Sequence, residues 1–150
     1  MLALLRLLRP EQWYKNLIVF LGLIFSQELF FQNFILRTFI AFVILCIYSG
    51  VNYTINDIVD AEKDKRHPEK SQRPIPSGKV SKGQAAAFTL LLLSIAVYTS
   101  FSLSYLFGLV SLLFFFVGIT YTFFLKNLYL VDVITIGANF SLRAVLGVLV

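Results

Sequence analysis

Three aspartates at the end of a long apolar stretch have the type and spacing to bind a metal. Asp57, Asp60 and Asp64 stand at positions i, i+3 and i+7, so they project from one face if a helix continues through them. Tyr53, one helical turn before Asp57, shares that face. Crowded carboxylates repel one another unless a cation lies between them, and hard oxygen ligands favour Mg²⁺ over zinc. The spacing therefore predicts a Mg²⁺ site, and Mg²⁺ commonly accompanies phosphate.

A basic tract rich in proline and glycine follows the acids, and residues 57–82 are called the 57–82 loop below. Its prolines and Gly78 prevent a continuous helix through its second half. Arginine can bind phosphate oxygens bidentately, whereas lysine contributes a point charge. Three cations of the loop are candidate phosphate ligands: Arg66, Lys70 and Arg73. The alternative for each is an ordinary anchor in a solvated loop.

The composition is typical of a protein embedded in the lipid bilayer. The 150 residues are 58% hydrophobic and only 14% charged, which is less charge than a soluble domain carries. Residues 83–125 contain no charged side chain, which leaves room for two membrane helices of roughly 20 residues each and a tight turn. The predicted fold class is therefore an all-α integral membrane bundle.

An interfacial helix and five spans are expected. Segment 2–14 combines leucines with two arginines and ends in Trp13 and Tyr14, a pattern typical of a helix at the membrane interface. Lys15 follows this aromatic pair, where it can meet a lipid phosphate. The spans are predicted at about 16–34, 38–56, 84–100, 105–125 and 131–150.

The distribution of basic residues predicts the topology. The net charge is +5, and all but Arg37 and Arg143 of the 13 Lys and Arg residues lie in the N-terminal segment, the 57–82 loop or the connection near residue 126. This positive-inside pattern places the N-terminus and the 57–82 loop in the cytoplasm of a multi-pass protein of the cell membrane. The basic excess is thereby explained without nucleic acid as a partner.

Polar residues inside the apolar spans are further candidates, because such groups are costly in a bilayer unless they are used. Tyr53 and Asn56 precede the acids in the second span. Arg143 lies deep in the fifth span, where insertion costs roughly 2.5–3.5 kcal/mol. We expect it to face a polar cavity or an acidic partner, together with Asn139 one turn earlier on the same face.

The acids resemble the first aspartate-rich motif of the UbiA superfamily of intramembrane prenyltransferases, in the form Asn56-Asp57-x-x-Asp60-x-x-x-Asp64. Further segments are similar to one subgroup, the decaprenyl-phosphate phosphoribosyltransferases. These segments are Leu8-Arg9-Pro10, Gln12-Trp13-x-Lys15-Asn16, His67-Pro68-x-Lys70 and Arg73-Pro74-Ile75-x-Ser77-Gly78. The resemblance covers essentially the whole chain.

The resemblance implies a bundle of about nine transmembrane helices around a cavity that opens laterally to lipid, with about five of them in this chain. A second acidic motif would follow residue 150, so we expect the chain to be the N-terminal part of a longer protein. Asp57, Asp60 and Asp64 would be the catalytic ligands that hold Mg²⁺ against a diphosphate, with Asn56 assisting. Lys126, at the end of the fourth span, matches a position where members often place a basic residue that faces the pyrophosphate.

Two transferase reactions fit the resemblance. In one, 5-phosphoribose moves from phosphoribosyl pyrophosphate to a polyprenyl phosphate such as decaprenyl phosphate. In the other, a prenyl group moves from a prenyl diphosphate to an aromatic acceptor. The same metal site serves either donor, so the acids alone do not separate the two, and the subgroup motifs favour the first.

Three other classes of protein are alternatives. A CDP-alcohol type transferase requires Gly after an aspartate, and neither Asp57 nor Asp60 is followed by Gly. A transporter or channel half commonly has proline inside its spans, whereas all four prolines lie outside the predicted ones. A non-catalytic membrane scaffold is the third alternative.

Overall fold

Long apolar segments fold as helices here. A bilayer offers no water to hydrogen-bond the backbone, and a helix pairs its backbone N–H and C=O groups internally. The structure is a computed structural model, and it describes residues 2–26, 31–125 and 129–150. Within these residues there is no strand. The α-helices are α1 (Leu2–Leu7), α2 (Phe20–Phe25), α3 (Gln32–Val59), α4 (Ala61–Asp64), α5 (Lys82–Leu103), α6 (Tyr105–Thr120) and α7 (Tyr129–Val148). Two 3-10 segments, Pro10–Val19 and Lys70–Gln72, and a π-helical segment, Tyr121–Leu125, complete the regular structure.

Three of these helices are long and apolar enough to cross a membrane. They are α3, α5 and the helix Tyr105–Phe124, in which the π-helical segment continues α6. They lie over the second, third and fourth predicted spans, and α7 carries a shorter apolar part, Val133–Val148, over the fifth. The prediction of an all-helical membrane bundle is confirmed.

The N-terminal region differs from the single helices expected over 2–14 and 16–34. Helix α1 ends at Leu7, and the 3-10 segment and α2 replace the start of the predicted first span. Proline suits the first position of a helix, because the N–H that it lacks would have no helical partner there. Pro10 accordingly starts a new helix after a break at Arg9. Spacing by three residues then aligns Trp13, Asn16 and Val19 on one side. Asn16 and Val19 are buried. Residues 27–30 of the predicted first span lie outside the described residues.

Helices α2 and α7 approach closely at two glycines. A Cβ atom on Gly147 would collide with the backbone carbonyl of Val19, and one on Gly22 would collide with the carbonyl of Gly147. Small residues allow such contact between membrane helices. The pair therefore fixes α7, which carries Arg143, against the N-terminal segment.

The 57–82 loop folds back onto the N-terminal helix. Ile75 and Val80 bury their side chains in a cluster with Leu7 of α1, Ala61 of α4 and Ala85 of α5. A capping box then starts α5: the Ser81 hydroxyl accepts from the Gln84 N–H, and the Gln84 side chain accepts from the Ser81 N–H. These contacts fix the loop over the end of α3.

Gly147→Ala is expected to destabilise the protein, because the atoms in the way are backbone and no side chain can move aside. Overpacking of this kind costs about 1–3 kcal/mol. Thermal unfolding in detergent measures the loss. Gly137→Ala is the matched control on the same helix, since its Cβ would meet nothing within 4 Å. An equal effect of both substitutions would contradict the close contact.

Candidate active site

Helix α3 ends between the first and second aspartates. Its last residue is Val59, Asp60 forms the junction with φ −86° and ψ 2°, and α4 restarts the helix up to Asp64. The expected single helical face is therefore interrupted. Asp57 and Asp64 are 1% and 3% exposed, while Asp60 is partly exposed at the junction.

The structure brings Asp57 and Asp64 together through one arginine. Nη1 of Arg73 lies 3.1 Å from Oδ1 of Asp57 and 2.8 Å from Oδ2 of Asp64. Nη2 of Arg9 donates to the same Asp57 Oδ1 at 2.6 Å. Two carboxylates thus converge on one nitrogen, and two guanidinium groups neutralise them.

Both arginines are held in place by their neighbours in sequence. Arg73 precedes Pro74 and the buried Ile75, which belong to the part of the loop packed on α1. Arg9 has a left-handed backbone with φ 48°, a conformation that costs about 1–3 kcal/mol for a residue other than glycine and often marks a functional site. Its guanidinium carbon lies 4.9 Å from the centre of the Tyr53 ring. The break before Pro10 therefore aims Arg9 at Asp57.

Arg9 lies on the wall between two cavities. The cavity on the acid side measures about 370 Å³ and is lined by Arg6, Arg9, Glu11, Gln12, Asp57, Arg73 and Pro74. The second cavity, called the inner cavity below, measures about 360 Å³. Its lining is Arg9, Lys15, Ser49, Asn52, Tyr53, Asn56, Phe114, Gly118, Tyr121, Thr122, Thr135, Ile136, Asn139, Phe140 and Arg143. Both volumes fall in the range of small-molecule sites.

The inner cavity is positively charged. Arg9, Lys15 and Arg143 line it, and none of its lining residues in the described part of the chain is acidic. Part of its wall is aromatic, including Phe114 and Phe140. Such a cavity suits an anionic ligand that also carries apolar surface.

Arg143 is buried at the wall of the inner cavity, 7% exposed. Its Nε donates to Oδ1 of Asn16 at 2.7 Å. The guanidinium carbon lies 4.9 Å from the centre of the Phe114 ring and 5.3 Å from that of Phe140, which are favourable cation–π distances. A neutral amide and two rings, rather than an acid, support this charge within the described residues.

Asn52 supplies an unpaired acceptor at the inner cavity. Its Nδ2 donates to the Phe115 carbonyl at 3.5 Å, while its Oδ1 is buried without a hydrogen-bond partner in the described structure. Gly118 makes the space, because a Cβ there would collide with the Asn52 amide. A buried acceptor of this kind can bind a hydroxyl group of a ligand.

The remaining predicted site residues fall into three groups. Four line the inner cavity: Lys15, Tyr53, Asn56 and Asn139. Arg66 is exposed and Lys70 is half-buried in the loop, and among the described residues Arg9 and Arg73, not these two, pair with the acids. Lys126 lies outside the described residues.

Three residues of the site were absent from the predicted set: Arg9, Asn16 and Asn52. Asn16 and Asn52 carried the signal of a polar group inside an apolar stretch. Arg9 belongs to the segment Leu8-Arg9-Pro10, in which the Arg-Pro pair indicates a break without indicating what the arginine contacts.

The residues at Asp57 fit Mg²⁺. In the described part of the chain no three acidic, histidine or cysteine side chains form a group that could hold a metal. Mg²⁺, however, is usually bound by one or two carboxylates together with water and substrate phosphates. Two buried carboxylates that converge on a single point, Arg73 Nη1, provide that donor set.

Comparison with known proteins adds independent information. Residues 16–150 match the model of the UbiA prenyltransferase family. An uncharacterized protein of Sinorhizobium fredii is 33% identical over 140 residues, which are 93% of this chain and 27% of the relative. A decaprenyl-phosphate phosphoribosyltransferase of Corynebacterium glutamicum is 30% identical over 149 residues, 97% of this chain and 45% of the relative. A digeranylgeranylglyceryl phosphate synthase of Methanothermobacter thermautotrophicus is 30% identical over 143 residues, 95% of this chain and 49% of the relative. The chain spans about half or less of the length of these relatives.

Asn16→Ala should destabilise the protein by about 1.5–3 kcal/mol, the typical contribution of a hydrogen bond to a charged group. The reason is that the buried Arg143 guanidinium loses the acceptor at 2.7 Å. Chemical unfolding in detergent micelles measures the change. Asn33→Ala is the control, since Asn33 is exposed on α3, and equal losses in the two variants would show that Arg143 does not depend on Asn16.

Proposed function

Because the chain belongs to the UbiA prenyltransferase family, we propose that it supplies the diphosphate-binding part of a membrane-embedded, Mg²⁺-dependent transferase. The proposed donor is phosphoribosyl pyrophosphate, and the proposed acceptor is a polyprenyl phosphate of the decaprenyl type. The observation that carries the proposal is the convergence of Asp57 and Asp64 on one nitrogen of Arg73, at the acid-side cavity that Asp57 and Arg73 line. The resemblance to phosphoribosyltransferases along 97% of the chain supports the choice of donor.

The acid side would bind the leaving group. Asp57 and Asp64 would hold Mg²⁺, with Asp60 near them at the helix junction and Asn56 one residue before Asp57. Bound there, Mg²⁺ would neutralise the negative charge that develops on the departing pyrophosphate. Arg9 and Arg73 lie at the same place and can donate bidentately to phosphate oxygens.

The inner cavity would bind the acceptor phosphate. A phosphate monoester is largely ionised at neutral pH, so its oxygen can attack without a general base. The lining accordingly needs cations, and it presents Lys15, Arg9 and Arg143. As the acceptor oxygen bonds to the anomeric carbon of ribose, the bond to pyrophosphate breaks and the leaving group keeps the electron pair. The unpaired Asn52 Oδ1 is available to accept from a ribose hydroxyl.

A second candidate function is transfer of a prenyl group from a prenyl diphosphate to an aromatic acceptor. The observation in its favour is the aromatic part of the inner cavity, where Phe114 and Phe140 lie beside Tyr53 and Tyr121. Aromatic faces stabilise cations, and a prenyl cation would form when the diphosphate leaves. The acids and arginines would serve this donor in the same way.

The proposed location is the cell membrane, with the N-terminus and the 57–82 loop on the cytoplasmic side. Three apolar helices of spanning length support a membrane location. The cytoplasmic assignment follows from the basic residues of the loop and the N-terminal segment. Both proposed donors are charged, and this orientation puts the acid-side cavity within reach of them.

The function is tested with membranes that contain the full-length protein, Mg²⁺, a polyprenyl phosphate and ribose-labelled phosphoribosyl pyrophosphate. Label should enter the lipid extract, and EDTA should abolish its entry. Absence of label from folded protein would contradict the phosphoribosyl reaction. A parallel reaction with labelled prenyl diphosphate and aromatic acceptors then tests the second candidate.

Asp57→Asn and Asp64→Asn should each lower the transfer rate by at least about a hundredfold, the usual effect of removing one group that stabilises transition-state charge. Membrane insertion should be unchanged. Glu62→Gln is the control, because Glu62 is exposed and pairs only with Lys65 and Lys82 among the described residues. Hydrogen bonds from Lys65 and Lys82 hold the pKa of Glu62 below its ordinary value, so the control also removes a negative charge. Normal turnover in both aspartate variants would remove these acids from the mechanism.

A further inference from the structure

Arg9 and Arg73 occupy the positions that a cation bound to the aspartates would need. Oδ1 of Asp57 accepts from Arg9 at 2.6 Å and from Arg73 at 3.1 Å. A carboxylate oxygen has two lone pairs, so both are engaged. A metal that binds this oxygen must displace at least one guanidinium group.

Asp64 is held by one of the same two arginines. Nη1 of Arg73 bridges the two carboxylates, at 3.1 Å from Asp57 and 2.8 Å from Asp64. A cation that is shared by both acids through these two oxygens would therefore lie where this nitrogen now lies. The competition is for one position, not only for one charge.

The charges of the cluster balance without any ligand. Two carboxylates and two guanidinium groups sum to zero. A divalent cation alone would displace an arginine and leave its charge beside the new one. A diphosphate alone would have to draw the arginines away from buried acids, which would then lack a partner. Each ligand alone is disfavoured, whereas the opposite charges of the two together largely cancel.

The acid-side cavity has space for the displaced guanidinium groups. The side chains of Arg9 and Arg73 are 21% and 27% exposed, and both line this cavity of about 370 Å³. The backbone of Arg73 is fixed by the packing of Ile75. A change of side-chain rotamer suffices to turn its guanidinium into that cavity.

We propose that Arg9 and Arg73 are exchangeable counter-ions, which pair with Asp57 and Asp64 in the free protein and move to the diphosphate when it arrives with its divalent cation. The proposal rests on the proposed function, since it assumes the metal–diphosphate site at these acids. It adds that the arginines oppose binding of the metal alone and favour binding of the diphosphate. Binding of the two ligands is thereby coupled, and the protein does not retain the metal without the donor.

The test uses Mn²⁺ as the metal, inorganic pyrophosphate as the diphosphate and the full-length protein in detergent. Electron paramagnetic resonance reports free and bound Mn²⁺ without turnover. Arg73→Gln should bind Mn²⁺ alone at least about fivefold more tightly than the unmodified protein, because the competitor is gone, and should bind pyrophosphate more weakly by a similar factor. Arg9→Gln should change both affinities in the same directions. Arg73→Lys, which keeps the charge, should lie between.

Lys65→Gln is the control for loss of positive charge, since Lys65 is exposed in the same loop and pairs with Glu62. It should leave both affinities within about twofold. Thermal unfolding of each variant verifies that it is folded. If Arg73→Gln does not fold, Arg73→Lys provides the test.

Two results would overturn the proposal. If Mn²⁺ binds near the acids with the same or lower affinity in the arginine variants, the arginines only support the structure, and the proposed function stands. If no variant and no unmodified protein binds Mn²⁺ in the presence of pyrophosphate, the metal site itself fails, and the proposed function fails with it.

Discussion

Asp57 lies near the end of a membrane-length helix, and only 1% of the Asp57 surface is exposed. A charge buried in this way costs several kcal/mol unless it is paired. Arg9 and Arg73 provide the pairing, and much of the local architecture serves to deliver them. The break between α1 and the 3-10 segment positions Arg9 beside Asp57, and Arg9 adopts a left-handed backbone conformation there. Arg73 is delivered by a loop whose Ile75 and Val80 pack against Leu7 and Ala61. The N-terminal segment and the loop are thus held together at the carboxylate.

The same arrangement separates the two environments that the proposed transfer would need. The acid-side cavity contains Asp57, Arg73 and Arg9, which suit a metal and a diphosphate. The inner cavity contains Arg143 and Lys15 without an acid among its described lining residues, which suits an anionic acceptor. Arg9 borders both, so donor and acceptor would meet beside this residue. The contact of Gly147 with Val19 keeps α7 and its Arg143 close enough to form the far wall.

The sequence was sufficient for features that depend on local pattern. Runs without charge predicted the long apolar helices, and the cost of burying Arg143 predicted a polar cavity or an acidic partner beside it. The end of α3 at Val59 was not predictable, because Asp60 carries no proline or glycine signal. The pairing of Arg9 with Asp57 spans 48 positions and depends on how the N-terminal segment packs on α3. Spacing within one helix cannot reveal a contact between segments of this kind, so the aspartates were expected to bind a metal and Arg73 to bind phosphate, rather than to pair with each other.

Asp57 and Asp64 are proposed to hold a divalent cation together with a diphosphate. The most direct measurement is an experimental structure of the full-length protein with Mn²⁺ and pyrophosphate, in which anomalous scattering locates the metal. We expect Mn²⁺ to be bonded directly to oxygens of Asp57 and Asp64, with Arg9 and Arg73 turned onto the diphosphate. Metal bound elsewhere, with Arg73 still bridging the two carboxylates, would contradict the proposal.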